Sequence, residues 1–291
     1  MDFAPNGKVS GAAIVDSGQI FCYSGENREN EAKRMILTVD ISNSNVVFAV
    51  MEDEKVLSTV CVLSDRQRPA DEYAALVGWG FQQRGYDLKE MEGAIIASVV
   101  PSLTAAIWEA VHQVSGCVPF VVGPGVKTGL NIRLEDPTEL GGDFVASAVA
   151  AIASYPMPCV IVEIGTAVAL GILDRNANYV GGVIMPGPRV SQEALARGAA
   201  LLPNVSVTPT ASVIGKTTAA SMQSGIVNGS AAMIDGLLDR VEEELGESVS
   251  VVAAGDWAKT IIPHCKRKDI VIDDDILMRG LWDIYKKNRR S

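Results

Sequence analysis

The chain has 291 residues and a formal charge of −10, from 25 Lys+Arg against 35 Asp+Glu. Apolar residues make up 48% and charged residues 21%, with a mean hydropathy of +0.20, so the chain can bury the core of two ordinary domains or one large one. Acidity without a basic cluster argues against nucleic acid and anionic membrane surfaces, and only two histidines, His112 and His264, argue against histidine-centred catalysis or a His-rich metal site.

In chain order, residues 1–34 are rich in Gly, Asn, Ser and Glu and read as a loosely attached extension, with one short candidate strand at 12–15. The pattern changes abruptly at Met35. Strands are expected at 36–41, 46–51 and 56–63, a helix at 70–84 after Pro69, a strand at 94–100, a helix at 103–114 ended by Gly116, and a strand at 118–122. The second half restarts the same grammar, with strands at 159–164, 168–173 and 179–185 and a turn at 174–178 between the last two. Helices follow at 190–200, 217–228 and 230–245, then a strand at 249–254 and a last helix at 276–287. Asp40 and Glu163 hold equivalent places, each an acidic residue ending the strand that opens its half, which predicts two similar domains facing a cleft. The boundaries drawn are 1–34, 35–155 and 156–291.

Five cysteines, Cys22, Cys61, Cys117, Cys159 and Cys265, are odd in number and widely spaced, which fits neither a disulfide framework nor a zinc ribbon. Cys61, Cys117 and Cys159 lie in or beside apolar runs and are expected to be buried free thiols. The longest apolar stretch, 145–173, is interrupted by Pro156, Pro158 and Glu163, so no membrane span is expected. The start lacks a basic region followed by an apolar core, and a cytoplasmic location is expected.

Several segments could carry chemistry. In Asp40-Ile41-Ser42-Asn43-Ser44-Asn45 a carboxylate leaves a buried strand, where it could hold Mg²⁺, and the small polar residues after it could surround phosphate oxygens; the same residues also make an ordinary polar β-turn. Asp143, after Gly141-Gly142, sits where a helix begins and could be a base in a cleft or a helix cap. Glu163-Ile164-Gly165-Thr166 is a second acidic strand end. Gly181 to Gly187 is a glycine-bounded strand that could line a ligand. Gly123 to Gly129 lacks the spacing of a P-loop.

In this order the segments resemble the type III pantothenate kinases of the actin/hexokinase/Hsp70-like superfamily. The matching residues are Asp40-Ile41-x-Asn43 with Asn45, Gly123 to Gly129, Glu139-Leu140-Gly141-x-Asp143, Gly165-Thr166-Ala167, Gly181-Gly182 to Pro186-Gly187, and Ile214-Gly215-Lys216 through Gly225. The resemblance runs from Met35 to the C-terminus. It implies an α/β fold of duplicated actin-like ATPase (ribonuclease H-like) domains around a central cleft, and ATP-dependent phosphorylation of pantothenate, the first step of coenzyme A biosynthesis. It further implies that Asp40, Ile41, Ser42, Asn43, Ser44, Asn45, Val46, Val47 and Thr166 bind ATP and its phosphates. Asp143 is then the general base; Leu134, Gly141, Gly142, Asp143, Phe144 and Thr218 contact substrate; Asp40 places Mg²⁺; and Glu163 takes a monovalent cation, K⁺ or NH₄⁺. A homodimer is implied as well.

The sequence departs from the family pattern at several of these places. Ser42 and Ser44 replace a glycine and a threonine, Phe144 replaces an arginine, Leu134 an aromatic and Glu163 an aspartate. Val168 and Ala169 replace two threonines, and Ala254-Gly255-Asp256 stands where a threonine-glycine-glycine turn is usual. Losing the arginine removes a fork for a substrate carboxylate, leaving Lys127 or Arg189 as candidates. A weakened, ligand-binding or regulatory paralogue and a kinase for a different small alcohol are the alternative readings.

Overall fold

The computed structural model describes residues 34–289. The expected extension, with its strand at 12–15 and Cys22, lies outside them apart from Arg34.

Each half opens on an alternating or continuous apolar segment that pairs into a mixed sheet. In the first half these are β1 (Met35–Ile41), β2 (Asn45–Glu52), β3 (Lys55–Leu63), then α1 (Ala70–Gln82), β4 (Gly93–Ser98), α2 (Pro101–Ser115) and β5 (Phe120–Val121). A short β6 (Asn131–Ile132) and α3 (Gly142–Ser154) lead into β7 (Cys159–Ile164), β8 (Ala167–Leu173), β9 (Asn178–Pro186) and α4 (Pro188–Gly198). The chain ends with α5 (Thr218–Leu245), β10 (Ser250–Ala254), α6 (Ala258–Ile261), β11 (Val271–Ile272) and α7 (Ile276–Asn288). The first sheet has the order β3-β2-β1-β4-β5 and the second β11-β10-β7-β8-β9-β6. In both, the opening strand pairs antiparallel with the next, that one antiparallel with the third, and the opening strand parallel with the strand after a helix. The duplication expected from Asp40 and Glu163 is therefore a duplication of topology.

The side-chain period of two decides what each strand presents to which layer. On β1, Leu37, Val39 and Ile41 pack toward α1 and α2, while Ile36 packs toward α3 and α7. Asp40 is in phase with Ile36. On β7, Val160, Val162 and Ile164 pack with the α5 side, while Cys159 and Ile161 pack toward α3. Glu163 is in phase with these. Both carboxylates therefore emerge toward the α3 layer from opposite sides. α3 can serve both sheets because it is built of small residues: Val145, Ala146 and Val149 join one core, and Ala148, Ala150 and Ala151 the other. α7 crosses back to pack on α3 and β1, and a Cβ added at Gly280 would fall on the Ala146 carbonyl, so the two helices meet backbone to backbone.

Three expectations change. The helices expected at 217–228 and 230–245 form the single α5, because the buried stripe Val227, Ala231, Ile234, Leu238 runs past Gly229 without a break in its period. The strand expected at 118–122 shrinks to β5, and β6, β11 and α6 are too short to carry a periodic signal. Cys61 is exposed and Cys117 half-buried, whereas Cys159 and Cys265 are buried. β3 is an edge strand whose core-facing residue is Val60, so Cys61 points the other way. Among the described residues no helix is long and apolar enough to cross a membrane.

Candidate active site

Three turns meet over the α3 layer. The β1–β2 turn is closed by Ser42 N–H and Ser42 Oγ, both donating to the Asn45 carbonyl at 3.0 Å. The β7–β8 turn is closed by Gly165 N–H donating to the Ala167 carbonyl at 2.9 Å. Gly187, between β9 and α4, donates to the Thr166 carbonyl at 3.1 Å, and a Cβ there would fall on the Gly165 and Thr166 carbonyls, so this approach requires glycine. Ser44 Oγ lies 3.0 Å from Thr166 Oγ1, joining the turn of one sheet to the turn of the other, and Asn45 Nδ2 donates to Asp256 Oδ2 at 3.2 Å.

Between these turns is a cavity of about 480 Å³. Asp40, Asp143, Glu163, Asp256 and Asp274 all line it, and among the described lining residues Lys259 is the single cation, paired with Asp274. Crowding of carboxylates has the expected electrostatic result. Burial, then Asp143 and Asp256, push the Asp40 pKa up to about 8. Burial, followed by Asp40, Asp143 and the other acids, pushes Glu163 up to about 8 as well. Asp143 is also raised by burial, although its Oδ1 accepts the Phe144 N–H at 2.8 Å, which favours the carboxylate. This bond exists because Asp143 lies in the first turn of α3, where backbone N–H groups have no helical partner. Asp40 Oδ1 is buried with no hydrogen-bond partner in the protein.

A family profile described as type III pantothenate kinase matches residues 36–240. The chain is 39% identical over 257 residues to the type III pantothenate kinase of Shouchella clausii (strain KSM-K16), covering 88% of this chain and 100% of that one. To the type III pantothenate kinase of Bacillus cytotoxicus it is 37% identical over 254 residues, covering 87% and 97%. The chain belongs to the type III pantothenate kinase family. A solved structure, the activator of 2-hydroxyisocaproyl-CoA dehydratase from Clostridium difficile with bound ADPNP, aligns with a TM-score of 0.54 at 12% identity, covering 88% and 98%. At that identity the likeness concerns the fold alone, a mixed α/β chain whose two sheets repeat one topology.

Of the residues that family resemblance singled out, Asp40, Ser42, Asn43, Ser44, Asn45, Val47, Asp143, Phe144, Glu163 and Thr166 line the cavity. Ile41 and Val46 face each other across the β1–β2 pair with their side chains buried in the first core. Gly141 and Gly142 form the start of α3 beside Asp143. Leu134 packs into the core between α3 and the second sheet, and Thr218 is exposed at the start of α5, so neither lines the cavity. Lys127 is tied by its backbone to Asn288, so its glycine loop holds the end of α7. Arg189 instead reaches the turns, its Nη2 donating to Ser44 Oγ at 3.0 Å. Phe144, in place of the family arginine, stacks edge-on against Tyr179 at 6.5 Å over Gly171, where a Cβ would meet the Phe144 ring at 2.8 Å.

Sequence reasoning did not single out Lys259, Asp274, Leu277 and Met278 as cavity residues. They come from α6, α7 and the loop between β11 and α7. No local signal marks them, because tertiary packing brings them to the cleft, α7 against α3 and β1 and α6 against α5.

Proposed function

We infer that this chain transfers the γ-phosphoryl group of ATP to pantothenate, giving 4'-phosphopantothenate, the first step of coenzyme A biosynthesis. The observation that carries this reading is the convergence of the β1–β2 turn, the β7–β8 turn and Asp143 on one cavity. The turn residues Asp40 to Val47, with Thr166, hold the phosphates through N–H groups and hydroxyls. Asp143 takes the proton of the pantothenate hydroxyl as its oxygen forms a bond to phosphorus, and the bridging P–O bond breaks with its electrons leaving on ADP. The raised pKa of Asp143 makes it a better proton acceptor than an exposed aspartate. Gly141, Gly142 and Phe144 shape the acceptor side beside the base, whereas Leu134 and Thr218, outside the cavity, join the acceptor set through the family resemblance alone.

The residues fit the cations that the family implies. Asp40 Oδ1 is a buried carboxyl oxygen with no partner in the protein, and Mg²⁺ would supply both that partner and the positive charge needed to hold the carboxylate ionised. When bound, Mg²⁺ neutralises phosphate charge and polarises the transferred group. Glu163 would take the monovalent cation, K⁺ or NH₄⁺, its Oε1 and the Ile164 carbonyl both lying close to Gly255. A homodimer, which the family resemblance implies, the domain boundaries at 35–155 and 156–291 and a cytoplasmic location belong to the same reading.

The test is ADP release coupled to pantothenate, with 4'-phosphopantothenate identified by mass spectrometry and a panel of other small alcohols run beside it. Turnover with pantothenate supports the assignment; ATP binding without turnover on any acceptor refutes it.

A further inference from the structure

The cavity poses an electrostatic problem that its lining does not solve. Five carboxylates face it, and Lys259 is already paired with Asp274. A nucleotide triphosphate is itself a polyanion, so a cationic side chain beside its outer phosphates would add to the charge that Mg²⁺ supplies.

Arg189 stands at that point. Its Nη2 donates to Ser44 Oγ at 3.0 Å, and Ser44 Oγ is 3.0 Å from Thr166 Oγ1, so the guanidinium sits where the turns of the two sheets meet. Its other ionic contact is long, Nε to Glu193 Oε1 at 3.9 Å, and the side chain is 55% exposed. A guanidinium carries five N–H donors in a planar fork, so most remain available to a ligand. The backbone that delivers it is fixed. Gly187 is locked on the Thr166 carbonyl two residues earlier, and Pro188 opens α4 with its φ already set.

We propose that Arg189 is a phosphate-binding residue of this cleft, its guanidinium taking the outer phosphate oxygens of a nucleoside triphosphate beside Ser44 and Thr166. This rests on the reading of the cleft as a nucleotide site. The guanidinium thereby provides positive charge that the acidic lining lacks, and it does so from α4, outside the turns that carry the family pattern. Arg189 binds the nucleotide and not the carboxylate of the acceptor.

The experiment is titration calorimetry of the full chain with AMPPNP, ADP, adenosine and pantothenate in Mg²⁺ buffer, comparing wild type with Arg189→Ala and Arg189→Lys. Losing a charged contact at a partly exposed site is expected to weaken AMPPNP binding ~10- to 100-fold in Arg189→Ala. Adenosine and pantothenate affinities should stay within about twofold, and lysine should recover part of the loss because it restores the charge without the fork. Unchanged AMPPNP affinity overturns the proposal. So does a loss confined to pantothenate, which places Arg189 on the acceptor. An equal loss for adenosine also overturns it, because a structural link between the turns would act that way. Wild type that binds AMPPNP without phosphorylating pantothenate refutes the proposed reaction but still allows the Arg189 comparison. Wild type that binds no AMPPNP overturns both.

Discussion

Replacing Asp143 with asparagine isolates the proton transfer from the fold. Asp143 Oδ1 accepts the Phe144 N–H at 2.8 Å, and an asparagine carbonyl oxygen can accept the same bond, so α3 should start unchanged. What asparagine cannot do is take a proton. A positioned general base contributes ~10²–10⁴-fold, about 2.7–5.4 kcal/mol in the barrier, and kcat should fall by that factor. The substitution also removes one negative charge from a cavity where Asp40 and Glu163 are both raised partly by Asp143. ATP should therefore bind Asp143→Asn as tightly as wild type or more tightly, giving a fall in kcat without a rise in KM for ATP. In wild type, burial raises the Asp143 pKa, so the acid limb of the kcat profile should lie above the ordinary aspartate value of about 3.9 and disappear in the variant. The assay is coupled ADP release with pantothenate across pH, with thermal melting as the control for folding. If Asp143→Asn turns over within twofold of wild type, Asp143 is not the base.

Asp40→Asn should raise the Mg²⁺ concentration for half-maximal turnover at least ~10-fold, and chelation should abolish turnover in wild type, both read by the same coupled assay. Gly280→Ala drives a Cβ onto the Ala146 carbonyl, which cannot move without displacing α3; a cost of about 3 kcal/mol and a drop in Tm of roughly 6–12 °C are expected by calorimetry. Asp273, 13% exposed, accepts from Tyr155 and from both terminal nitrogens of Arg279, which hold its pKa below the usual carboxylate value. Its contribution is therefore complete above about pH 4 and lost as pH falls through the lowered folded value. Asp273→Asn should lose about 1.5–3 kcal/mol at pH 7 in urea unfolding, the range for charge-assisted hydrogen bonds, and its deficit should close in acid; a constant deficit across pH would contradict this.

The longer strands were legible because each carries its own instruction. β7 was expected at 159–164 and is found there, and the hairpin between β8 and β9 follows from Asp174, whose Oδ1 accepts from the Asn176 and Asn178 backbone N–H groups. The continuity of α5 across Gly229 was not legible, because the stripe packed on the second sheet outweighs the local cost of that glycine.

The sequence by itself determined the repeated order of elements, the family, and the two acidic strand ends, because strand period and turn chemistry act over a few residues. Only the tertiary structure decided that Asp40 and Glu163 face the same layer, that Asp143 stands between them, and that Lys259, Asp274 and Met278 complete the cleft. Those positions depend on how closely α3 and α7 pack, which is set by Ala146 against Gly280, distant in sequence and in backbone contact. The composition gave an acidic chain; the fold concentrates that acidity in one cavity, and α4 brings Arg189 to Ser44 in one of the turns that line it.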